Sequence, residues 1–388
     1  VTYQFMNDFP KEEFTNRISR AQESLEKENI EAIIVTSPSN FRYFSGLNSN
    51  FWESPTRPWF LIISQKDPIR AIIPSIGSTA LEKTIVKNIE VWQSPNPKDE
   101  GVSLLKKIIK SFPKNSNIGF ELNNETHLRM SVQDFSNIRN ELSDYNFVDA
   151  GRIIWNLRKI KSINEIHNIS KICSIASKVF DSFPEKINSK MTEREITAIF
   201  KRELINEGAD YILYMACASG QGGYDQIINN PTEKKLNNGD ILIIDTGSTF
   251  NGYFCDFDRN FGFGKINKSS LDAYAKLWEA IETTLEIIKP GISCSDIYSS
   301  LSKNLISQKN NDSNVGRMGH GLGLQLTEPP SIMSNDKTLI EKNMIITLEP
   351  SIEIDKATML VLEENILITE DGYKLLNTRT PEKLPIIN

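Results

Sequence analysis

Two apolar segments of this chain each end in a carboxylate, and each is followed, after a turn, by a second apolar segment that ends the same way. The first pair is Ile241-Leu242-Ile243-Ile244-Asp245 and Tyr253-Phe254-Cys255-Asp256. The second is Met344-Ile345-Ile346-Thr347-Leu348-Glu349 and Met359-Leu360-Val361-Leu362-Glu363. Short apolar runs bounded by turn residues read as buried strands. With a tip near Phe250 and Asn251, the first hairpin sets Asp245 against Asp256; with a tip near Lys356, the second sets Glu349 against Glu363. Like charges directly opposed on a sheet face repel. One such pair is compatible with two solvated surface carboxylates. Two apolar hairpins that each deliver a pair call for a cation between them, because charged side chains are almost never buried unless paired or metal-bound.

His320, within Gly319-His320-Gly321-Leu322-Gly323, is a fifth ligand candidate. Its glycine neighbours let the backbone approach closely, and an imidazole suits a transition metal. A lone histidine is usually a core or surface group; beside four carboxylates, ligation is the stronger reading. Four carboxylates and one imidazole suit two divalent ions about 3.5–4 Å apart, able to hold a bridging water or hydroxide and to stabilise an oxyanion. Mn, Zn, Co and Fe all accept such a set.

The rest of the chain reads as two domains. Over residues 1–155 helices alternate with strands. A helix over 11–29 carries Phe14, Ile18, Ala21 and Leu25 on one stripe, and strands follow at Ala32–Val35, Trp59–Ile63, Ala71–Ile73, Val91-Trp92 and Ile118–Phe120. Helices are expected over 79–87 and 102–111, and a turn at Ser37-Pro38-Ser39-Asn40. This is an α/β domain with a mixed or parallel sheet. It has no G-x-G-x-x-G after a strand, so a dinucleotide site has no support. Over residues 156–388 the pattern is α+β: helices from Ile163 to Phe180, from Thr192 to Gly208 and from Ser270 to Lys289, with hairpin strands between and after them. Thr192-Glu193-Arg194-Glu195 is a capping box.

Lys and Arg number 44 against 50 Asp and Glu, a net charge of −6, so no global cationic field for nucleic acid or anionic lipid exists. No apolar run approaches the roughly 18 residues of a membrane span. Val1–Phe5 lacks the basic-then-apolar pattern of a signal peptide. Cys173, Cys217, Cys255 and Cys294 form no C-x-x-C pair and read as buried or free thiols. The expectation is a cytoplasmic protein with neither a nucleic-acid nor a membrane partner.

In order and context, Asp245, Asp256, His320, Glu349 and Glu363 resemble the ligands of the pita-bread metallopeptidases, family M24, and most of all the branch of Xaa-Pro aminopeptidases, prolidases and creatinase. Supporting motifs are Gly239-Asp240, Gly252-Tyr253, Gly319-His320-Gly321-Leu322-Gly323, Glu349-Pro350, and Thr369-Glu370-Asp371-Gly372 after Glu363. Tyr43-Phe44-Ser45-Gly46 is similar to that branch's amino-terminal domain. The resemblance implies an α+β protein with a pita-bread catalytic domain over 156–388, preceded by a creatinase-type α/β domain over 1–155. It implies that Asp256 and Glu363 bridge two divalent ions, that Asp245 sits on one, and that His320 and Glu349 sit on the other. Glu349 and His320 are the implied catalytic residues, Glu349 handling the proton of the attacking water. A homodimer acting on a short peptide or small molecule is implied, the reaction being dinuclear metal-dependent hydrolysis of the Xaa-Pro peptidase type. The alternative is another enzyme on this fold: a creatinase-like C–N hydrolase, or one resembling the dimethylsulfoniopropionate lyases.

Several positions depart from that pattern. Where the branch carries a histidine before the segment matching Pro231-Thr232-Glu233-Lys234, this chain has Ile228, Asn229 and Asn230; where it carries another after the glycine-rich loop, this chain has Thr327. Asn229 and Thr327 offer neutral hydrogen bonds instead. Asp258 stands where the family usually has threonine, before Arg259; both are expected behind the ligands, Asp258 as an extra ligand, a hydrogen-bond acceptor or one half of an ion pair. Gly247 stands where the lyases carry an additional Asp. The loop Phe51-Trp52-Glu53-Ser54-Pro55-Thr56-Arg57-Pro58-Trp59 offers Trp52, Arg57 and Trp59 as substrate contacts, or else is packed by its own aromatics. Tyr214 is a further substrate-binding candidate.

Overall fold

The computed structural model describes residues 9–53, 57–303, 305, 316–355 and 358–387. The opening Val1–Phe5, residues 54–56 of the aromatic loop and the Lys356 hairpin tip lie outside the described residues. The chain divides into two compact units, Val1–Arg158 and Lys159–Asn388.

The first unit is built on a six-stranded mixed sheet in the order Asn88–Trp92, Arg70–Pro74, Phe60–Ser64, Ala32–Val35, Asn117–Phe120, Asn146–Asp149. Phe60–Ser64 pairs antiparallel with both neighbours, and the outer joins are parallel. Ile34, Phe60, Ile62, Ile72, Leu105 and Phe120 form a buried core on the sheet. Ser37-Pro38-Ser39-Asn40 is the start of a helix, Pro38–Ser45, and not a turn. Proline in the first helical turn has its φ already set and lacks only an N–H that would be orphaned anyway. The carboxylate of Glu121 locks this start. It accepts from the Thr36 N–H (2.6 Å) and hydroxyl (2.9 Å), the Ser37 N–H (2.9 Å) and hydroxyl (2.5 Å), and the Asn40 amide (2.6 Å). Arg158 donates to Asn40 Oδ1 at 2.5 Å, and the Tyr43 hydroxyl to the Leu157 carbonyl at 3.2 Å. Helix Gly151–Arg158 therefore belongs to the first unit, which ends at Arg158 rather than at 155.

Glu121→Ala would strand five buried donors. It is expected to destabilise the first unit by about 3 kcal/mol or more, since hydrogen bonds to a charged group are worth about 1.5–3 kcal/mol each and are not additive. Urea unfolding followed by tryptophan fluorescence checks this, because Trp52, Trp59, Trp92 and Trp155 all lie in that unit and only Trp278 outside it. An unchanged midpoint would refute it.

The second unit carries helices Ile163–Ser182, Glu193–Asn206, Lys268–Leu285 and Cys294–Ser302; the first two start with capping boxes at Ser162 and Thr192. One sheet has the order Ile386–Ile387, Phe257–Phe263, Asp240–Phe250, Tyr211–Gln221, with Tyr253–Phe254 also on Asp240–Phe250. The other has the order Glu328–Ser331, His320–Gly321, Ile345–Leu348, Glu364–Ile368, Tyr373–Leu375. A two-stranded ribbon, Ser351–Asp355 with Thr358–Val361, continues the second carboxylate hairpin. Leu277, Ile281, Ile346, Leu348, Leu360 and Ile366 are among the core residues. All four cysteines are free and buried. No described helix is long and apolar enough to cross a membrane.

The two hairpins differ in how closely they follow the expected register. In the second, Leu348 faces Glu364 and Ser351 faces Val361, so Glu349 and Glu363 stand opposite each other, as the sequence predicts. In the first, the tip lies one residue later, at Asn251-Gly252, where φ is 45° and 65°. Two successive positive φ values define the tight hairpin turn that Asn-Gly favours. Phe250 then pairs with Tyr253 and Thr246 with Phe257, and the partner of Asp245 is Asp258, not Asp256.

Candidate metal centre

Three of the four carboxylates, Asp256, Glu349 and Glu363, sit where regular strand pairing breaks, whereas Asp245 sits within strand Asp240–Phe250. Cys255 and Asp256 separate strand Tyr253–Phe254 from Phe257–Phe263, and Glu349-Pro350 and Leu362-Glu363 separate Ile345–Leu348 and Glu364–Ile368 from the ribbon. Pro350 has no N–H to give a ladder. At Asp256 the lost ladder is replaced by a side chain: the Asp256 N–H donates to Asn365 Oδ1 at 3.0 Å, and Asn365 Nδ2 donates back to the Asp256 carbonyl. Arg259 ties the two hairpins together, donating to the main-chain carbonyls of Asp258 (2.5 Å) and Glu363 (3.0 Å) and pairing with Glu364 at 3.2 Å.

His320 is held by its own strand and by the neighbouring strand Ile345–Leu348. Its N–H donates to Thr347 Oγ1 at 3.0 Å, and Nδ1 lies 2.8 Å from the Gly321 carbonyl. That contact places the ring proton on Nδ1 and leaves the Nε2 lone pair for a ligand. Nε2 is 3.3 Å from Asp256 Oδ2 and 3.9 Å from Glu349 Oε1. Ligand atoms of Asp256, His320 and Glu363 all lie within 4.8 Å of one another. Asp245 adjoins Asp256, and the nearby Tyr214 hydroxyl and Thr246 N–H favour its charged form. The five ligand candidates thus come together in one place.

The electrostatics call for cations. Burial first, and mutual repulsion second, push the carboxyls of Asp245 and Glu363 far above the ordinary range. Burial does the same to Asp256, with Arg317 opposing it. Glu349 is raised to about 7, again by burial, with His320 and Arg317 opposing and Asp256 adding to the rise. Burial pushes His320 down, which keeps the imidazole neutral and ligating. Asp245 Oδ1 and Glu363 Oε1 are buried with no hydrogen-bond partner in the structure. An orphaned anionic oxygen in an interior is a costly arrangement, and two beside a turned-in imidazole lone pair fit the donor set of a divalent metal site.

Asp258 is buried opposite Asp245, and burial followed by the Asp245 charge raises its carboxyl far above normal. Its Oδ1 accepts from Asn260 Nδ2 at 3.3 Å. Arg259 reaches its main-chain carbonyl rather than its carboxylate, so the ion-pair reading of Asp258 is not what the structure shows. At Gly247, a β-carbon would lie 2.3 Å from Leu326 Cδ1 and 3.0 Å from Tyr214 Cβ, so the additional Asp of the lyases has no room here unless Leu326 moves.

Of the proposed substrate residues, Tyr214 lies at Asp245, and Thr327 accepts from Arg317 Nη2 at 3.2 Å. Asn229 is placed by its carbonyl, which accepts from the Cys217 N–H at 3.0 Å. Trp52 and Trp59 pack with Phe41 inside the first unit, with ring centroids 5.0–5.6 Å apart. Trp59 is 2% exposed, a core residue with its ring faces occupied rather than a free pocket wall. Arg57 lies over the Phe51 ring at 5.8 Å, and Arg129 donates to the carbonyls of Trp52 and Arg57, so the loop is packed by its own aromatics. Two residues at the centre escape a reading of the sequence. Asn365 follows Glu363 by two, the strand repeat, and that alternation is the one signal that could flag it. Arg317, three residues before His320, carries no pattern; its Nε lies 3.4 Å from Glu349 Oε1.

The profile of metallopeptidase family M24 matches residues 167–370, and that of the creatinase/prolidase N-terminal domain matches residues 17–160. An Xaa-Pro dipeptidase of Pyrococcus furiosus is 27% identical over 371 residues, covering 95% of this chain and 99% of that protein. A recombinant prolidase from Thermococcus sibiricus superposes with a TM-score of 0.85 at 25% identity, over 96% of this chain and 99% of that one. The dipeptidase PepE of Mycobacterium ulcerans shares the fold, with a TM-score of 0.85 at 20% identity over 98% and 99% of the two chains.

Proposed function

This chain belongs to metallopeptidase family M24, and from that premise we propose that it hydrolyses Xaa-Pro dipeptides, with two divalent ions held by Asp245, Asp256, His320, Glu349 and Glu363. The observation that carries the reading is the pair of orphaned buried oxygens, Asp245 Oδ1 and Glu363 Oε1, beside the turned-in Nε2 of His320. Bound there, such ions supply a water activated for attack and polarise the scissile carbonyl. The protein's own residues do the rest. The Nδ1–H to Gly321 contact keeps His320 in one tautomer, Asn365 fixes the Asp256 backbone, and Arg259 holds the main chain at Glu363. Glu349, with its carboxylate at the edge of the cluster, takes the proton of the attacking water and returns it to the leaving amine.

A homodimer in the cytoplasm, and Mn, Zn, Co or Fe as the metal, complete this reading. The second reading, a C–N hydrolase or lyase of a small molecule on the same fold, draws on Asn229 and Thr327 standing where relatives carry imidazoles. The test is to load purified protein with each metal in turn, assay it on Ala-Pro and Gly-Pro and on small betaine and guanidino compounds, and measure metal content and mass. Turnover of the dipeptides with close to two ions per chain is expected. Turnover of the small compounds alone would move the assignment to the second reading, and no retained metal would end both.

A further inference from the structure

We propose that Asp258 is a further ligand of the ion held by Asp245, and that it makes that position an oxygen-only site suited to a hard divalent cation such as Mn2+, unlike the imidazole-bearing position of His320. The proposal rests on the dinuclear metal reading and deepens it. Asp258 and Asp245 stand directly opposite each other on strands Phe257–Phe263 and Asp240–Phe250. Their side chains therefore leave the same sheet face, with β-carbons about 4.5–5.5 Å apart. Asp258 is 1% exposed. Among the described residues its carboxylate accepts one hydrogen bond, at 3.3 Å from Asn260 Nδ2, and that same nitrogen makes a shorter one, 2.7 Å, to the Val361 carbonyl. Arg259, next in sequence, is turned to main-chain carbonyls and to Glu364. One long contact from a neutral amide does not compensate an anion taken out of water; such groups are buried when they are paired or bound to metal.

The residue type points the same way. Threonine, usual in the family at this position, has a hydroxyl proton to give to a neighbouring carboxylate, whereas an ionised aspartate only accepts. Exchanging one for the other takes a donor away from Asp245 and sets a second anion beside it, and Asp245 Oδ1 is left buried without a hydrogen-bond partner. Asn260, two residues beyond Asp258 and so on the same strand face, also has its Oδ1 buried without a partner. Acceptors outnumber donors along this strand pair, a deficit that a cation makes good. The ion there meets carboxylate oxygens of Asp245, Asp258, Asp256 and Glu363 and no nitrogen, while the other ion meets His320 Nε2. Carboxylates suit Mn and Mg and an imidazole suits Zn and Fe, so the two positions differ in the metal they favour.

The test titrates metal-free wild type, Asp258→Thr and Asp258→Asn with Mn2+ and with Zn2+ by calorimetry, and records the electron paramagnetic resonance spectrum of bound Mn2+ and the melting temperature of each protein; no turnover is read. The wild type is expected to bind two ions per chain, with the usual advantage of Zn2+ over Mn2+ narrower at one position than at the other. In Asp258→Thr the Mn2+ affinity of that one position should fall at least about 10–100-fold, the range that outer partners of a metal site already reach, while the other position keeps its affinity. At limiting Mn2+ the spectrum of a coupled pair should give way to that of a single ion. Asp258→Asn, which keeps the shape and one oxygen but not the charge, should fall between and guards against a threonine variant that folds poorly. Two positions that bind Mn2+ as tightly in both variants as in the wild type, or that weaken equally for both metals, overturn the proposal and leave the dinuclear reading standing without Asp258. A wild type that binds neither metal ends both.

Discussion

Asp256→Ala is expected to abolish metal retention and activity together, and to raise the melting temperature of the metal-free protein. The two halves of this result have one cause. Without ions, Asp245, Asp256 and Glu363 are carboxyls that burial pushes far above their ordinary range, Asp245 and Glu363 being raised further by the charge of Asp256. Removing the carboxylate that adjoins both others relieves that repulsion. With ions, the same residue is the proposed bridge, and its loss under-coordinates both. Outer partners of a metal site typically cost about 10–100-fold in affinity or activity when removed, so a bridging ligand should exceed that. Asn365→Leu, which keeps every ligand but unclamps the Asp256 backbone, should fall in the outer-partner range. Elemental analysis, turnover and melting curves of the two variants check this. An Asp256→Ala protein that keeps its metal, or that melts lower than wild type when both are metal-free, would contradict it.

The second large effect is a metal-dependent stability that grows with pH. Burial raises the folded-state pKa of Asp245, Asp256, Asp258 and Glu363 far above the unfolded values, and that of Glu349 to about 7. For an acid with a raised folded pKa, the native state binds more protons than the unfolded one between the two values, so stability falls as pH rises. The metal-free protein should therefore lose stability from about pH 4, where unfolded carboxyls titrate, up through pH 7. Ion binding works against this, because the ligands bind metal only when deprotonated. At 100 to 1,000 times Kd, binding contributes about 2.7–4.1 kcal/mol, which for domains of this size corresponds to about 5–15 °C in melting temperature. The gap between metal-loaded and chelated protein should be narrow near pH 5 and wide near pH 8. Comparing the two at each pH cancels every titrating group outside the site. A gap independent of pH would show that these carboxyls are not the metal's ligands.

The elements of this site closest to one another in sequence are legible in the order of residues alone. Apolar runs that end in Asp245, Glu349 and Glu363, and the Gly319-His320-Gly321 step, carry local signals of strand, turn and ligand type. The register of the second hairpin follows from symmetry about its tip. The first does not, because its tip is set by Asn251-Gly252, the pair that accepts two positive φ values, and a shift of one residue at the tip re-pairs every residue on the strand. Asp258 thereby becomes the partner of Asp245. Ser37-Pro38 is open to the same ambiguity: turn and helix start use the same residues, and Glu121, more than 80 positions away, decides between them.

What the sequence by itself determined is the identity and order of the groups that carry charge, because periodicity and strand-end chemistry act over a few residues. Only the tertiary structure decided which polar atoms are left without a partner. Asn365 clamps Asp256 across 109 positions, Arg259 reaches Glu363 across 104, and Arg317 meets both Glu349 and Thr327 from a stretch with no pattern of its own. The aromatic loop at Trp52 and Trp59 is equally compatible with pocket and core on its residue types, and it is Phe41, filling it, that makes it core. Hydrogen-bond satisfaction and burial are sums over contacts that chain separation does not encode, and in this protein they separate five ligand candidates from the arginine beside them.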